Sequence, residues 1–79
     1  MATKKDRGLR WHKMANGSYR TESNTSGAVV DKGLYEGLWW WRVFDIKTGR
    51  NVIADCAVSL AKAKEEAVEA ILERALKLI

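Results

Sequence analysis

Two stretches decide how this chain folds: LWWWRVFD, residues 38–45, and NVIADCAV, residues 51–58, joined by IKTGR, residues 46–50. Both are rich in β-branched and aromatic residues, the composition of strands. Gly49 can take the left-handed position that closes a short hairpin loop. Pairing Ile46 with Arg50 predicts that partner numbers sum to 96. Phe44 then faces Val52, Val43 faces Ile53, Arg42 faces Ala54, Trp41 faces Asp55 and Trp40 faces Cys56. A strand sends alternate side chains to opposite faces, so Trp39, Trp40 and Trp41 cannot all be internal.

Counting the two faces gives an expectation. Leu38, Trp40, Arg42, Phe44, Val52, Ala54, Cys56 and Val58 share one face, and only Arg42 is polar. Trp39, Trp41, Val43, Asp45, Asn51, Ile53, Asp55 and Ala57 share the other, with three polar positions. The first is the expected core face. Trp40 is then buried, while Trp39 and Trp41, with Val43 and Ile53 beside them, form an apolar area that a soluble monomer seldom leaves bare. On this reading those four residues form a protein-binding surface with tryptophan anchors, unless the N-terminal hairpin and Trp11 fold over them.

Outward from this hairpin, everything after Ser59 reads as helix. Ser59 is a good N-cap, no Gly or Pro follows, and Ala, Leu, Glu and Lys dominate. Leu60, Ala63, Ala67, Ile71, Ala75 and Leu78 make a stripe suited to a sheet. Val68, Leu72, Leu76 and Ile79 widen the apolar arc beyond what one sheet covers, which predicts a second copy or a partner along that side, or cover from the N-terminal segment. Toward the N-terminus, Asn16-Gly17 is a preferred hairpin pair; it would set Met14 across from Tyr19. Residues 23–27 read as a loop, 28–30 as a short strand, and Asp31-Lys32-Gly33 as a turn. Gly37 marks a bulge or bend before the tryptophans.

The expected fold is therefore α+β: a three- or four-stranded antiparallel sheet against one long C-terminal helix. Residues 1–8 read as a flexible basic arm and 9–79 as a single domain. Seventy-nine residues are near the lower limit for one self-sufficient core. Cys56 is the only cysteine, so no internal disulfide forms, and a free thiol suits the cytoplasm. No signal-peptide pattern or membrane span is visible.

The formal charge of +4 is uneven. Residues 1–20 carry Lys4, Lys5, Arg7, Arg10, Lys13 and Arg20 against Asp6 alone, a net of +5; the other 59 residues carry eight bases and nine acids. Such an arm attracts phosphate backbones or an acidic protein, or simply solubilises the chain. Catalytic chemistry is poorly supplied. His12 and Cys56 are the only His and Cys, Cys56 falls on the expected core face, and the glycines of NGS, KGLYEG and KTGR belong to turns. Neither an enzyme nor a cofactor or metal site is expected.

The order W-x-V-x-D-x-x-x-G-x-x-V, Trp41 to Val52, followed by a small-residue strand and SLAKAKEEA, residues 59–67, resembles the three-strand-plus-helix DNA-binding module of phage-type integrases and plant ethylene-response factors. That resemblance covers residues 38–70 and implies that the sheet lies in the major groove, with Trp40, Arg42, Lys47 and Arg50 facing it and the alanine-rich helix behind. It requires the opposite strand parity from the one favoured by counting. In size and layout the chain also resembles small phage-encoded proteins, anti-CRISPR proteins among them, which implies stoichiometric binding to a host complex. Two functions follow as expectations: a non-enzymatic protein-interaction module using Trp39, Trp41, Val43 and Ile53, or a DNA- or RNA-binding protein using Lys4, Lys5, Arg7, Arg10, Lys13, Arg20, Arg42, Lys47 and Arg50.

Overall fold

The structure, a computed structural model, describes residues 9–33 and 37–77. It is an α+β fold with more strands than expected. Five strands, β1 (His12–Lys13), β2 (Tyr19–Glu22), β3 (Ser26–Lys32), β4 (Trp39–Asp45) and β5 (Asn51–Ala57), precede one helix, α1 (Leu60–Lys77). The sheet is an antiparallel meander in the order β1-β2-β3-β4-β5. The helix crosses β3 and β4 and reaches β5 less fully. The expected arm, residues 1–8, lies outside the described residues.

Turn chemistry explains the connections. The Asn16-Gly17 turn holds three residues, not two: Met14 N–H donates to Ser18 O at 2.7 Å, so Lys13, not Met14, faces Tyr19. Gly17 takes the left-handed φ of 90°, and Asn16 Oδ1 accepts from the Ser18 N–H at 3.0 Å. Ser26 and Gly27, expected in a loop, open β3, because Ser23 N–H donates to Ser26 O at 2.7 Å and closes a tight hairpin around Asn24-Thr25. Asp31 and Lys32, expected in a turn, continue β3 against Trp40 and Trp39. The chain bends afterwards, where Gly33 N–H donates to Leu38 O at 2.8 Å and Gly37 takes a φ of 84°. Ser59 caps the helix as expected: its Oγ accepts from Lys62 N–H at 3.1 Å.

The β4–β5 register holds at a sum of 96 from Trp39 to Val43 and then shifts. Asp45 N–H donates to Arg50 O, and Gly49 N–H, at a φ of 73°, donates to Asp45 O. The loop is thus four residues, and Phe44 faces Asn51 rather than Val52. Val52 is the extra residue of a bulge that restores the register beyond it.

The face that packs on the helix is the opposite of the one the polar count favours. Trp41 is 5% exposed and Val43 is fully buried, whereas Trp40 is 44% exposed. Trp41 and Val43 join Ala28 and Val30 of β3 and Ala63, Ala67 and Ile71 of the helix in one core cluster, with Trp39 packed against it. Packing sizes account for the inversion. The helix presents alanines, so the sheet must supply the bulk, and tryptophans against Ala63 and Ala67 fill a layer that Ala54 and Cys56 would leave hollow. The polar residues counted against this face do not obstruct it. Asn51 moves to the other face through the Val52 bulge, Asp55 sits exposed on the outer strand, and Asp45 at the end of β4 is held by the helix.

That last contact is a small polar clamp. Arg74 Nη2 donates to Asp45 Oδ1 at 2.7 Å, and Nη1 donates to Ser26 Oγ at 2.9 Å and to Thr25 O at 3.4 Å. One guanidinium therefore ties the C-terminal half of the helix to β4 and to the β2–β3 turn. At the other side, Trp41 Nε1–H donates to Glu66 Oε1 at 3.0 Å, and Lys64 Nζ lies 4.2 Å from the Tyr19 ring centroid and 5.6 Å from that of Trp11. Leu9 and Trp11 pack against the core, and Trp11 lies near Lys64, so the N-terminal segment reaches the first half of the helix. Val68 is buried within its own chain, which removes it from the expected dimer interface. Leu72 is half-buried, Leu76 is exposed, and Ile79 lies outside the described residues.

Candidate functional site

With the helix on one side, no described element packs on the other face of the sheet, and the register defines what stands there. Reading across the strands, it carries His12; Arg20 and Glu22; Gly27, Val29 and Asp31; Trp40, Arg42 and Phe44; and Asn51, Ala54 and Cys56. Three arginine or histidine side chains and two aromatic rings share it.

Two glycines, Gly27 in β3 and Gly33 just past its end, shape this face. Phe44 is directly across from Gly27, and a Cβ on Gly27 would stand 2.3 Å from Phe44 Cζ. A Cβ on Gly33 would stand 2.6 Å from Trp40 Nε1 and 2.7 Å from its Cδ1. Both rings therefore lie down across β3 in room that only a missing side chain leaves. Phe44 is closed over from above. The Arg20 guanidinium is 5.0 Å from its ring centroid and that of Arg42 is 5.8 Å. The two arginines are then fixed laterally, Arg20 Nη2 by Glu22 Oε2 at 2.6 Å and Arg42 Nη1 by Asn51 Oδ1 at 3.1 Å. Among the described residues no cation closes over Trp40, which is 44% exposed.

Beside this platform, at the β1–β2 edge, Arg10, His12, Met14, Arg20, Thr21 and Glu22 line a depression of about 440 Å³. At the far end, the β4–β5 turn presents exposed Lys47 and Arg50. Its shape is held by Asp45, whose Oδ2 accepts from the N–H and hydroxyl of Thr48 at 2.9 and 3.1 Å. The Thr48 backbone hydrogen bond first, and the Arg74 hydrogen bond next, hold the Asp45 carboxyl below its ordinary range.

The expected site residues scatter differently. Trp41 and Val43 are core, Trp39 is half-buried against it, and Ile53 stands on the helix side of β5, so these four do not form a surface. Of the expected nucleic-acid residues, Arg20 and Arg42 meet on the open face, Arg10 borders the depression and Lys47 and Arg50 stand at the turn. Lys13 is on the helix side, 5.9 Å from the Tyr19 centroid; Lys4, Lys5 and Arg7 lie outside the described residues. His12 and Cys56 are on opposite edges of the sheet, four strand spacings or about 19 Å apart, so they form no dyad. Among the described residues no three His, Cys, Asp or Glu side chains gather as a metal site, and no helix is long and apolar enough to cross a membrane. The counting missed Phe44 and both glycines as surface architecture. Gly27 and Gly33, six apart and so of one parity along extended chain, were the available signal, but it is legible only once β3 is known to run up to Lys32, beside Gly33.

The fold and face together define an antiparallel meander, backed by one helix and open on the other side. Compared with known protein families, curated proteins and solved structures, the chain matches none.

Proposed function

We propose that this is a non-enzymatic nucleic-acid-binding protein that works through the sheet face opposite its helix. The observation that carries this reading is that the exposed Trp40 shares one open face with His12, Arg20 and Arg42, with Arg10 at the β1 edge and Lys47 and Arg50 at the turn beyond the far end of β4. Interleaved cations and an open aromatic ring are what phosphates and bases require. The parity is also the one that the resemblance to integrase-type modules needs, with Trp40 and Arg42 on the side away from the helix.

Five bases, Arg10, Arg20, Arg42, Lys47 and Arg50, stand against Glu22 and Asp31 on this face and its turn. If four or five phosphates are neutralised, the logarithm of affinity falls with the logarithm of salt at a slope of about −3 to −4. Fluorescence anisotropy of a labelled oligonucleotide over a salt series reads this directly. No binding at low salt by either DNA or RNA overturns the proposal.

One observation favours a second reading, a protein-interaction module. Ile46, Val52 and Ile53 are all more than a third exposed at the β4–β5 end, an apolar rim that a protein partner would cover. Such a contact would be nearly insensitive to salt.

A further inference from the structure

We infer that the ligand of this face is single-stranded nucleic acid, with an unpaired base stacked on Trp40. This rests on the nucleic-acid reading above and narrows it. A side chain that reads a duplex must stand up from the sheet into the groove. Arg20 and Arg42 do the reverse: both lie over the Phe44 ring and are held there by Glu22 and Asn51. Trp40 is laid down as well, its pyrrole edge over Gly33, so it offers the sheet's surroundings a ring rather than a probing tip. A ring in that posture can bind only a base whose own face is free, and in a duplex every internal base face is already stacked.

The charges fit such a strand. Arg42 is two residues along β4 from Trp40, about 6.8 Å, and its guanidinium reaches further along the face, over Phe44 to Asn51, so its charge suits a phosphate next along the strand rather than the base stacked on the indole. Arg20 continues the row on the next strand but one, and Arg10 and His12 lie past it. A backbone crossing the sheet from Trp40 toward β1 would meet these cations in turn. Asp31, paired with Trp40 on this face, is the carboxylate beside the indole, so the phosphates would follow β4 toward Arg42 before crossing to Arg20.

The test compares a labelled single-stranded oligonucleotide with the duplex of the same sequence, on the native chain, Trp40→Ala and Trp40→Phe, with thermal unfolding of each variant checking that it is folded. The inference expects the single strand to bind at least about 10-fold tighter, a loss of about 5- to 100-fold in Trp40→Ala, the range for removing one base–aromatic stack, and near-native affinity in Trp40→Phe. Equal or tighter duplex binding overturns the inference and leaves the nucleic-acid reading standing. So does a single-strand affinity that Trp40→Ala leaves unchanged. If neither nucleic acid binds the native chain, the broader reading falls as well.

Discussion

Phe44 shows how much of this surface depends on single atoms. Its ring lies where a Gly27 side chain would be, 2.3 Å from that absent Cβ, and two guanidiniums close over it. Gly27→Ala must displace the ring and with it Arg20 and Arg42. The expected cost is about 1–3 kcal/mol of stability, as for other overpacked sites, read as a lower denaturant midpoint. An unchanged midpoint would mean that the ring finds room elsewhere. Asp45 makes a second prediction, in pH. Its carboxyl titrates below its ordinary value of 3.8 in the folded chain, chiefly through the Thr48 backbone hydrogen bond and then through Arg74. A lowered folded-state pKa contributes stability that is complete above the ordinary value and is lost as pH falls through the lowered one. The thermal midpoint of the native chain should therefore exceed that of Asp45→Asn at neutral pH, and the gap should close on acidification below the ordinary value. A gap that is constant with pH would show that the charge at Asp45 contributes nothing.

Among the elements, the two sheet edges are protected differently. β1 is only two residues long, too short to template a partner strand. β5 is seven residues long, with Val52 and Ile53 exposed, which is an aggregation hazard. Its defences are the Val52 bulge and Asp55. Asp45 N–H bonds toward β5 and Ile46 N–H toward Thr25 beside β3, so amides alternate sides and the Cys56 N–H falls on the outer edge. Asp55 Oδ1 accepts that N–H at 2.8 Å, covering the donor that a partner strand would use. Asp55→Val should therefore shift the chain toward larger species in sedimentation velocity as concentration rises. Sedimentation identical to that of the native chain would assign edge protection to the bulge alone. The same strand shows where sequence reasoning stopped. The hairpin, its register from Trp39 to Val43, the helix and its Ser59 cap were legible because each rests on local chemistry. The tryptophan parity was not. It turns on the alanines of a helix packed from afar and on one bulged residue, Val52, which carries Asn51 from one face to the other. The length of β3 was hidden for a related reason: Ser26, Gly27, Asp31 and Lys32 are poor strand formers alone and are held by pairing with β4, Gly27 by β2 as well.

At the scale of the molecule, a single helix gives the sheet two unlike faces. One is an alanine–tryptophan core with Arg74 clamping its end. The other is thin in apolar bulk, laid with two rings over two glycines, and bordered by Arg10, Lys47 and Arg50. Exposing such a face forgoes burial that a chain of this size could use, and the proposed nucleic-acid ligand would cover it. The four indole N–H signals separate the faces in one spectrum, since Trp41 donates to Glu66 inside and Trp40 stands outside. The most direct measurement is a nitrogen-15 NMR titration of the native chain with a single-stranded oligonucleotide at low salt. Binding on the open face should shift the Trp40 indole and the amides of Arg20, Arg42 and their neighbours, reversed by added salt, with the Trp41 indole unmoved. Shifts confined to the helix side, or none at all, would contradict it.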